Sequence, residues 1–207
     1  MLRRLCPIII TLFVLIPLSC AHLEREYVSI AYTENNDVTG NTAIPTSITV
    51  NDFKDGREDK GRVGRDYSRG LDILAKEPVV IGVPEVVGKV LEKKGYDVIR
   101  ISVEGDPELY AQKFTQRFHL AGKIEDLFVR VKREGVLATF TTRGRIYFTL
   151  SNGEGTVVWA GRMRGETTVS SPFASRKGIE ESLNGCIRII SDELASDEKF
   201  AHVLSSR

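Results

Sequence analysis

Cysteine, histidine and tryptophan are scarce in this sequence, and their scarcity excludes several kinds of site. Among 207 residues there are three cysteines, three histidines and one tryptophan. Cysteine-based zinc clusters and Cys–His catalytic pairs need these residue types together, and here they are few and far apart. The glycines occur singly, so there is no glycine-rich loop to cradle a phosphate. We therefore predict no metal, no cofactor and no catalytic residues.

Neither sign of charge dominates the chain. The 29 basic and 28 acidic residues give a net charge of +1. A protein so evenly balanced offers no electrostatic basis for binding nucleic acid. Its length suits one domain with a substantial hydrophobic core.

The first twenty residues have the layout of a secretory signal that ends in a cysteine. Arg3 and Arg4 precede a largely apolar stretch over residues 5–18, and Ser19 precedes Cys20. The stretch is shorter than the roughly 20 residues that a membrane-spanning helix needs. A cysteine at the cleavage point predicts a bacterial lipoprotein in which Cys20 is lipidated and holds the chain at a membrane. Pro17 stands where such signals usually have an aliphatic residue, so an unlipidated secretory signal and a retained anchor are the alternatives.

These features divide the chain into three parts. We predict a signal peptide at 1–19, a lipidated N-terminus and tether at 20–45, and a single α+β domain at 46–207. Loss of the signal removes Cys6 and two positive charges, which takes the net charge from +1 to about −1. With Cys20 acylated, Cys186 alone remains, so no intrachain disulfide can form. Ala21 after the cysteine resembles the sorting signal for the outer membrane, so we expect a bacterial envelope protein that faces the periplasm.

Hydrophobic periodicity predicts a two-layer α+β fold with a mostly antiparallel sheet. Three strands near 118–131, 136–150 and 156–169 alternate apolar and polar residues, and form a meander over about 118–169. A hairpin turn is predicted at 151–155, where Asn and Gly accept positive φ. In the first of these strands the apolar residues stand at even-numbered positions up to Ile124 and at odd-numbered positions from Leu127 onward. This switch predicts a β-bulge near Glu125, which would keep both sets on the core face.

Two helices, at about 83–95 and 175–194, are predicted to cover one face of this sheet. Their apolar residues recur at three- and four-residue steps. Cys186 lies on the stripe of the second helix, which indicates a small core residue rather than a reactive thiol. Shorter strands are predicted at 47–53, 79–81 and 96–103, and residues 52–70 are predicted to form a long exposed loop.

The acidic string from Asn51 to Asp59 has the composition of a calcium loop but not its register. If Gly56 takes the sixth position, Phe53 takes the third, where an oxygen ligand is expected. We instead expect a strand end and a solvated turn in which Asp55 and Arg57 pair or hydrogen-bond the backbone.

Four arginines on the polar face of the meander are the candidate docking patch. Pairing around the 151–155 turn would place two of them opposite positions 161–164, among threonines. The pattern predicts either a solvated sheet face or a surface that binds an acidic protein, an anionic lipid head or a polysaccharide. The four residues are Arg143, Arg145, Arg162 and Arg164.

A family resemblance rests on short motifs spread over nearly all of the mature chain. They are the lipoprotein signal, the strand into Asn51–Arg57, Val63-Gly64, the helix end Lys94-Gly95-Tyr96, the meander through Trp159 and the closing helix. Together they resemble the YajG-type bacterial lipoproteins. The resemblance implies a small envelope lipoprotein and supplies no catalytic residues. A more distant likeness, in fold alone, is to lipoproteins that serve as auxiliary parts of envelope machines.

Three functions follow from these observations. The first is a non-enzymatic accessory lipoprotein that docks onto an envelope protein complex. The second is a module that binds lipid or glycan, and the third is a hydrolase whose site we do not recognise. A tightly filled space between helices and sheet favours the first, and a deep apolar pocket there favours the second. Titratable groups converging in a cleft would be needed for the third.

Overall fold

A computed structural model of the protein describes residues 25–32, 44–100 and 118–205. The predicted signal peptide, Cys20 and the remainder of the tether lie outside these residues, as do residues 101–103 of a predicted strand. Within the described part, one sheet of eight strands is accompanied by three helices. The strands are β1 (Arg25–Val28), β2 (Ile44–Asp55), β3 (Gly64–Asp66), β4 (Leu71–Ala75), β5 (Tyr96–Arg100), β6 (Phe118–Glu134), β7 (Leu137–Asn152) and β8 (Val157–Ser171). The helices are α1 (Val79–Lys93), α2 (Arg176–Ala195) and α3 (Glu198–Ser205).

The long strand β6 organises the sheet. One edge of β6 pairs antiparallel with β7 over its whole length, and β7 pairs antiparallel with β8. The other edge is shared, because β2 pairs in parallel with residues 118–124 and β3 with residues 129–131. β5 adds to β2, while β4 and then β1 add to β3. The prediction of a two-layer α+β domain with a mostly antiparallel sheet is confirmed.

The bulge predicted near Glu125 is present. The β6–β7 ladder passes from Ile124↔Ile146 to Asp126↔Arg145, so Glu125 is the extra residue. The bulge lets Ile124 and Leu127 both face the helices, and they are 0% and 1% exposed. The change of parity in the sequence therefore has a structural cause.

Two turns mark the ends of the sheet. The β6–β7 hairpin at residues 134–137 lies at one end, which we call the β6–β7 end. The β7–β8 turn lies at the other end and has the predicted chemistry. There the Asn152 side chain accepts hydrogen bonds from the backbone N–H groups of Glu154 and Thr156, and Gly155 adopts φ +81°.

Helices α1 and α2 cover one face of the sheet, as predicted. α2 begins after Ser175, whose hydroxyl accepts a hydrogen bond from the N–H of Gly178. Such a cap satisfies one of the free donors of a first turn. The predicted apolar stripe is fully buried, and α3 adds Phe200 between the rings of Tyr96 and Trp159. The stripe comprises Ile179, Leu183, Cys186, Ile187, Ile190 and Leu194.

Residues 79–81, predicted as a strand, are the first turn of α1, so that prediction is wrong. The β-branched run favours a strand locally. However, Val79 and Val83 continue the buried stripe of the helix, and burial of that stripe decides the conformation. Pro84 consequently lies inside the helix rather than in its first turn.

The prediction of a long exposed loop over 52–70 is also wrong, because the segment contains β3 and leads into β4. Asp66 ends β3 and is 0% exposed. Its carboxylate accepts hydrogen bonds from the backbone N–H groups of Ser68 and Arg69, and the Arg69 guanidinium pairs with it. A charged residue is buried here because the turn that follows it satisfies the charge.

Part of the predicted tether belongs to the domain. β1 pairs in parallel with β4, and Val28 and Ile30 enter the hydrophobic core. Glu180 and Asn184 of α2 accept hydrogen bonds from the N–H groups of Ser29 and Ala31. The described domain therefore includes residues 25–32, which precede the predicted boundary at 46.

Candidate functional site

The face of the sheet opposite α1 and α2 is open in the described structure, and it carries the four predicted arginines. Directly paired residues of neighbouring strands point to the same side of a sheet. Arg145 pairs with Arg164, and Tyr147 pairs with Arg162, so both strands contribute to one face. Even-numbered residues of β7 are buried under the helices, while the arginines on odd positions face outward.

The register of β7 and β8 differs from the predicted one. Arg143 lies opposite Glu166, not opposite positions 161–164, and forms an ion pair with it at 3.1 Å. Part of the difference arises at the turn, which is closed by the hydrogen bond from the Asn152 N–H to the Thr156 carbonyl and is therefore centred one residue later than predicted. An irregularity shifts the register by one further residue, since the ladder passes from Ser151↔Val157 to Leu150↔Trp159 and leaves Val158 unpaired. The patch therefore contains an acidic residue that the predicted pairing left out.

The bulged residue Glu125 is the centre of the patch. Its carboxylate accepts two hydrogen bonds from the Arg162 guanidinium, at 2.8 and 3.0 Å. The Nε of Arg145 lies 3.0 Å from the same carboxylate. The hydrogen bonds from Arg162, with the charges of both arginines, lower the pKa of Glu125. Sequence reasoning found Glu125 through its bulge but missed this role, which depends on strands far apart in the chain.

Arg164 differs from the other three arginines. Its backbone N–H donates to Glu193 of α2 at 2.8 Å. No ion pair between the Arg164 guanidinium and another described residue is present.

Arg162, besides its contact with Glu125, lies over the ring of Tyr147, with 5.7 Å between the guanidinium carbon and the ring centroid. The β8 side of the patch thus offers cationic groups at the surface.

A polar excursion between β2 and β3 forms a wall beside the open face. Residues 56–63 leave the edge of β6 and rejoin it where the N–H of Val129 donates to the Val63 carbonyl. Arg57, 6% exposed, closes the excursion by a two-pronged contact with Asp55 at 2.9 Å and a bond to the Arg62 carbonyl at 2.8 Å. The predicted Asp55–Arg57 pairing is confirmed, but Arg57 is buried rather than solvated.

The wall and the open face enclose a groove of about 610 Å³. The groove brings together two segments that are far apart in the sequence. The wall contributes Arg57–Asp59, and β7 contributes Arg143 and Arg145. Arg162 and Arg164 lie beside the groove on β8. Six basic and four acidic side chains line the groove: Arg57, Arg62, Arg130, Lys132, Arg143, Arg145, Glu58, Asp59, Glu125 and Asp126.

The chemistry of the groove is that of ion pairing. Guanidinium groups bind carboxylates in a two-pronged geometry, which gives both affinity and orientation. Burial would raise the pKa of the Asp55 carboxyl at the base of the wall, but hydrogen bonds from Arg57 outweigh it and lower that pKa. The residues that line the groove include no histidine, cysteine or serine.

The scarce reactive residues lie elsewhere. His119 is on β6 and His202 on α3, while His22 lies outside the described residues. Cys186 is buried and donates a hydrogen bond to the Gly165 carbonyl, and burial raises its pKa to about 12. Cys186 is therefore a core residue, as predicted. Over the described residues, no group of three or more His, Cys, Asp or Glu is placed to hold a metal ion.

The contact between α2 and the sheet is tightly filled. A Cβ atom on Gly144 would lie 2.8 Å from Ile190 Cδ1, and one on Gly165 would lie 2.6 Å from the Cys186 carbonyl oxygen. On the helix, a Cβ on Gly178 would lie 2.6 Å from the Phe140 ring. Glycines therefore let the helix approach the sheet so closely that a methyl group does not fit between them.

A second cleft, of about 490 Å³, lies between residues 29–32, α1 and α2. Val86 and Val169 contribute apolar surface to it, but Lys177, Glu180 and Arg188 also line it. Pockets that hold apolar ligands are lined mainly by hydrophobic and aromatic side chains. This cleft does not match the deep apolar pocket expected for a module that stores lipid.

The proposed lipidation site, Cys20, lies outside the described residues. None of the helices in the described part of the chain has the length and apolar composition needed to cross a membrane.

Comparison with known proteins gives structural likenesses of low similarity. No protein-family model matches the chain, and no curated protein sequence does. The PelC dodecamer from Paraburkholderia phytofirmans is 17% identical, with a TM-score of 0.39, and the match covers 78% of this chain and 88% of that one. A neuraminyllactose-binding hemagglutinin homolog from Helicobacter pylori is 9% identical, with a TM-score of 0.48 and coverage of 86% and 97%. A minor lipoprotein from Acinetobacter baumannii is 11% identical, with a TM-score of 0.32 and coverage of 77% and 90%. At these TM-scores the likenesses carry no argument about this chain, and the YajG resemblance stays a prediction.

Proposed function

We propose that this protein is a lipid-anchored lipoprotein of the bacterial cell envelope that docks onto a protein partner and catalyses no reaction. The observation that carries the proposal is the open sheet face, where guanidinium groups surround a groove while the opposite face is packed under helices. The partner surface is acidic, because Arg130 and Lys132 in the groove and Arg164 beside it form no ion pair with another described residue and can meet a partner's carboxylates. Arg57 and Arg143 are already paired, with Asp55 and Glu166. Complementary charge of this kind favours specificity and fast association.

The anchor in this proposal is Cys20. The signal-like segment at 1–19 delivers the chain, and acylation of Cys20 holds it at the outer membrane, facing the periplasm. A domain fixed at a membrane surface meets an envelope complex at a high effective concentration, so a modest docking surface suffices. This account agrees with the YajG resemblance of the sequence, which also implies an envelope lipoprotein.

Docking is supported over lipid storage by the packing of α2. Because Gly144, Gly165 and Gly178 bring the helix and sheet into direct contact, an acyl chain has no room at that contact. The lowered pKa of Glu125 argues against a general-acid role for this residue at the centre of the patch. A carboxylate that remains ionised and paired near neutral pH is poorly suited to donate a proton.

The anchor is tested by metabolic labelling with a radioactive fatty acid in a bacterial host. Wild-type protein and a Cys6→Ser control should incorporate label, while Cys20→Ser should not. Cys6→Ser is the matched control because it makes the same substitution within the signal. Label on the Cys20→Ser protein would refute the proposed anchor.

Docking is tested by a photo-crosslinking residue at Thr141, which lines the groove, followed by mass spectrometry of the products. The matched control carries the same residue at Glu154 in the β7–β8 turn. We expect one specific envelope protein from position 141 and not from position 154. Recovery of lipid or glycan alone from position 141 would replace the docking function by a ligand-binding one.

A further inference from the structure

The β6–β7 end of the sheet exposes large apolar side chains at three separate turns. Val136 and Leu137 in the β6–β7 hairpin are 83% and 49% exposed, and Phe173, between β8 and α2, is 78% exposed. Tyr67, in the turn after β3 where it also lines the groove, is 54% exposed. We call these four residues the apolar rim. Clustered exposed apolar residues are typical of surfaces that meet a partner or a membrane.

All four rim residues lie at the same end because of the strand directions. The β7–β8 ladder ends at Ala138↔Ser171, so Leu137 and Phe173 each lie within two residues of its last pair. β3 runs parallel to β6, and the N–H of Tyr67 donates to the Val131 carbonyl near the end of β6.

The fold does not require an apolar residue at the hairpin tip. Gly135 adopts φ +61° and supplies the positive φ that a tight hairpin needs. Val136 follows it at a position where polar residues are usual. The β7–β8 turn at the opposite end, with Asn152, Gly153 and Glu154, shows the ordinary polar composition.

Basic residues surround the rim, and two of them lie at the N-terminus of α2, where positive charge destabilises a helix. Arg176 and Lys177 are exposed in the first turn of α2, which has no acidic residue. The positive end of a helix dipole disfavours cations at this place. Arg133 and Lys132, which also lines the groove, add two exposed positive charges at the end of β6, against one nearby exposed carboxylate, Glu134. Glu180 and Glu181 lie farther along α2.

The chain enters the domain at this same end. Arg25 pairs with Asp72, Asp72 with Arg65, and Arg65 with Arg130, so Arg25 is level with Arg130 across the sheet. From there β6 continues to Glu134, a rise of about 14 Å at 3.4 Å per residue. The five peptide steps from Cys20 to Arg25 span at most about 17 Å. The rim and a lipidated Cys20 can therefore reach the same membrane surface.

We propose that the apolar rim is a membrane-contact surface that inserts into the headgroup region of an anionic phospholipid bilayer. The proposal rests on the lipid anchor of the proposed function and fixes the orientation of the domain. Aromatic and aliphatic side chains enter the interface while the adjacent lysines and arginines contact lipid phosphates. The long axis of β6 then points away from the membrane, and the groove faces sideways toward an envelope partner.

The test uses the full mature lipoprotein reconstituted in phosphatidylethanolamine–phosphatidylglycerol vesicles. Cys186→Ala removes the buried thiol, and an environment-sensitive dye is attached to a cysteine placed at Val136 or Phe173. The matched control carries the dye at Glu154, at the opposite end of the sheet. Because positions 136, 173 and 154 are exposed, the labelled chains should keep the wild-type circular dichroism spectrum. Fatty-acid labelling of the same preparation reports the anchor independently.

We expect blue-shifted dye emission at 136 and 173 that is quenched by headgroup-depth spin-labelled lipid, and neither effect at 154. A labelled anchor with no quenching at 136 and 173 would overturn the rim and leave the anchor intact. A blue shift without quenching would mean that a second copy of the chain covers the rim, which also overturns the proposal. Absence of fatty acid would overturn both the anchor and the rim that depends on it.

Discussion

Replacement of Gly165 by alanine tests the close contact between α2 and the sheet, on which the choice of docking over lipid storage depends. The new Cβ would lie 2.6 Å from the Cys186 carbonyl oxygen and 2.9 Å from Ile190 Cγ1. The carbonyl is part of the helix backbone, so the clash is not relieved by a side-chain rotation. Overpacking of this kind typically costs about 1–3 kcal/mol. We therefore expect the free energy of unfolding to fall by about that amount, with a decrease in Tm of roughly 2–12 °C.

Urea unfolding followed by tryptophan fluorescence measures this effect, because Trp159 is the one tryptophan in the chain and is 8% exposed. Gly61→Ala is the matched control. There the nearest atom to a Cβ is an oxygen of Asp59 at 3.5 Å, an ordinary contact, so stability should stay the same or rise by a few tenths of a kcal/mol, up to about 1. If Gly165→Ala were as stable as Gly61→Ala, the helix would not lie directly on the sheet. A ligand-holding space between them would then be the better account.

Three further predictions concern buried polar groups. Burial alone would raise the pKa of Asp66, but hydrogen bonds from Ser68 and Arg69 lower it. The ionised Asp66 carboxylate therefore stabilises the folded protein at pH values above its unfolded pKa of about 4. This stabilisation is lost as the pH falls through the lower pKa of the folded state. Asp66→Asn should therefore cost about 1–3 kcal/mol at pH 7 and less at pH 3 by urea unfolding, and an equal cost at both would contradict this. Arg57→Ala should cost about 1.5–3 kcal/mol, because it removes charge-assisted hydrogen bonds to Asp55. Arg57→Lys should recover less than half of this cost because lysine lacks the planar fork, and wild-type stability of the lysine variant would refute that reason. The third prediction uses a chain with Cys6→Ser and Cys20→Ser, in which Cys186 is the remaining thiol. Because Cys186 is buried and its pKa is raised, thiol labelling should be much slower in the native state than in urea. Equal labelling rates would mean that the Cys186 thiol is accessible in the native state.

The predictable parts of this fold are those in which a periodic pattern coincides with burial. The stripe of α2 and the alternation of β6 to β8 depend on which face meets the core, and the sequence displays both directly. The bulge at Glu125 was predictable because the apolar positions of β6 change parity there. The β7–β8 turn was predictable because Asn152 and Gly155 have the conformational preferences that it requires.

The remaining elements depend on long-range contacts that local patterns do not display. β3 is three residues long, and its assignment rests on pairing with β6, where a Cβ on Gly64 would lie 2.4 Å from the Val129 carbonyl oxygen. A strand over 26–33 is compatible with the sequence, but its place in the sheet is not predictable, because its partner β4 lies more than 40 residues away in parallel. Residues 79–81 were misassigned because β-branched residues favour a strand locally while the buried stripe requires a helix.

The sequence predicts which arginines share the open face but not which carboxylates they pair with. The four arginines alternate with the core residues of β7 and β8, so their common face follows from strand geometry. The partners Glu125 and Glu166 depend on two irregularities, at residues 125 and 158, and on the position of the β7–β8 turn, which together set the register. The groove also requires the excursion at 56–63, which a sequence dense in charge presents as an ordinary loop.

The most direct test of the docking function is partner capture by the crosslinker at Thr141 in a chain carrying Arg162→Ser and Arg164→Ser. The matched control replaces two exposed lysines away from the patch, Lys76→Ser and Lys199→Ser, and makes the same change in net charge. Loss of two charge-assisted contacts at about 1.5 kcal/mol each weakens binding on the order of 100-fold. We therefore predict that capture is lost in the arginine variant and retained in the lysine variant. Unchanged capture by the arginine variant would contradict a docking function for the open face.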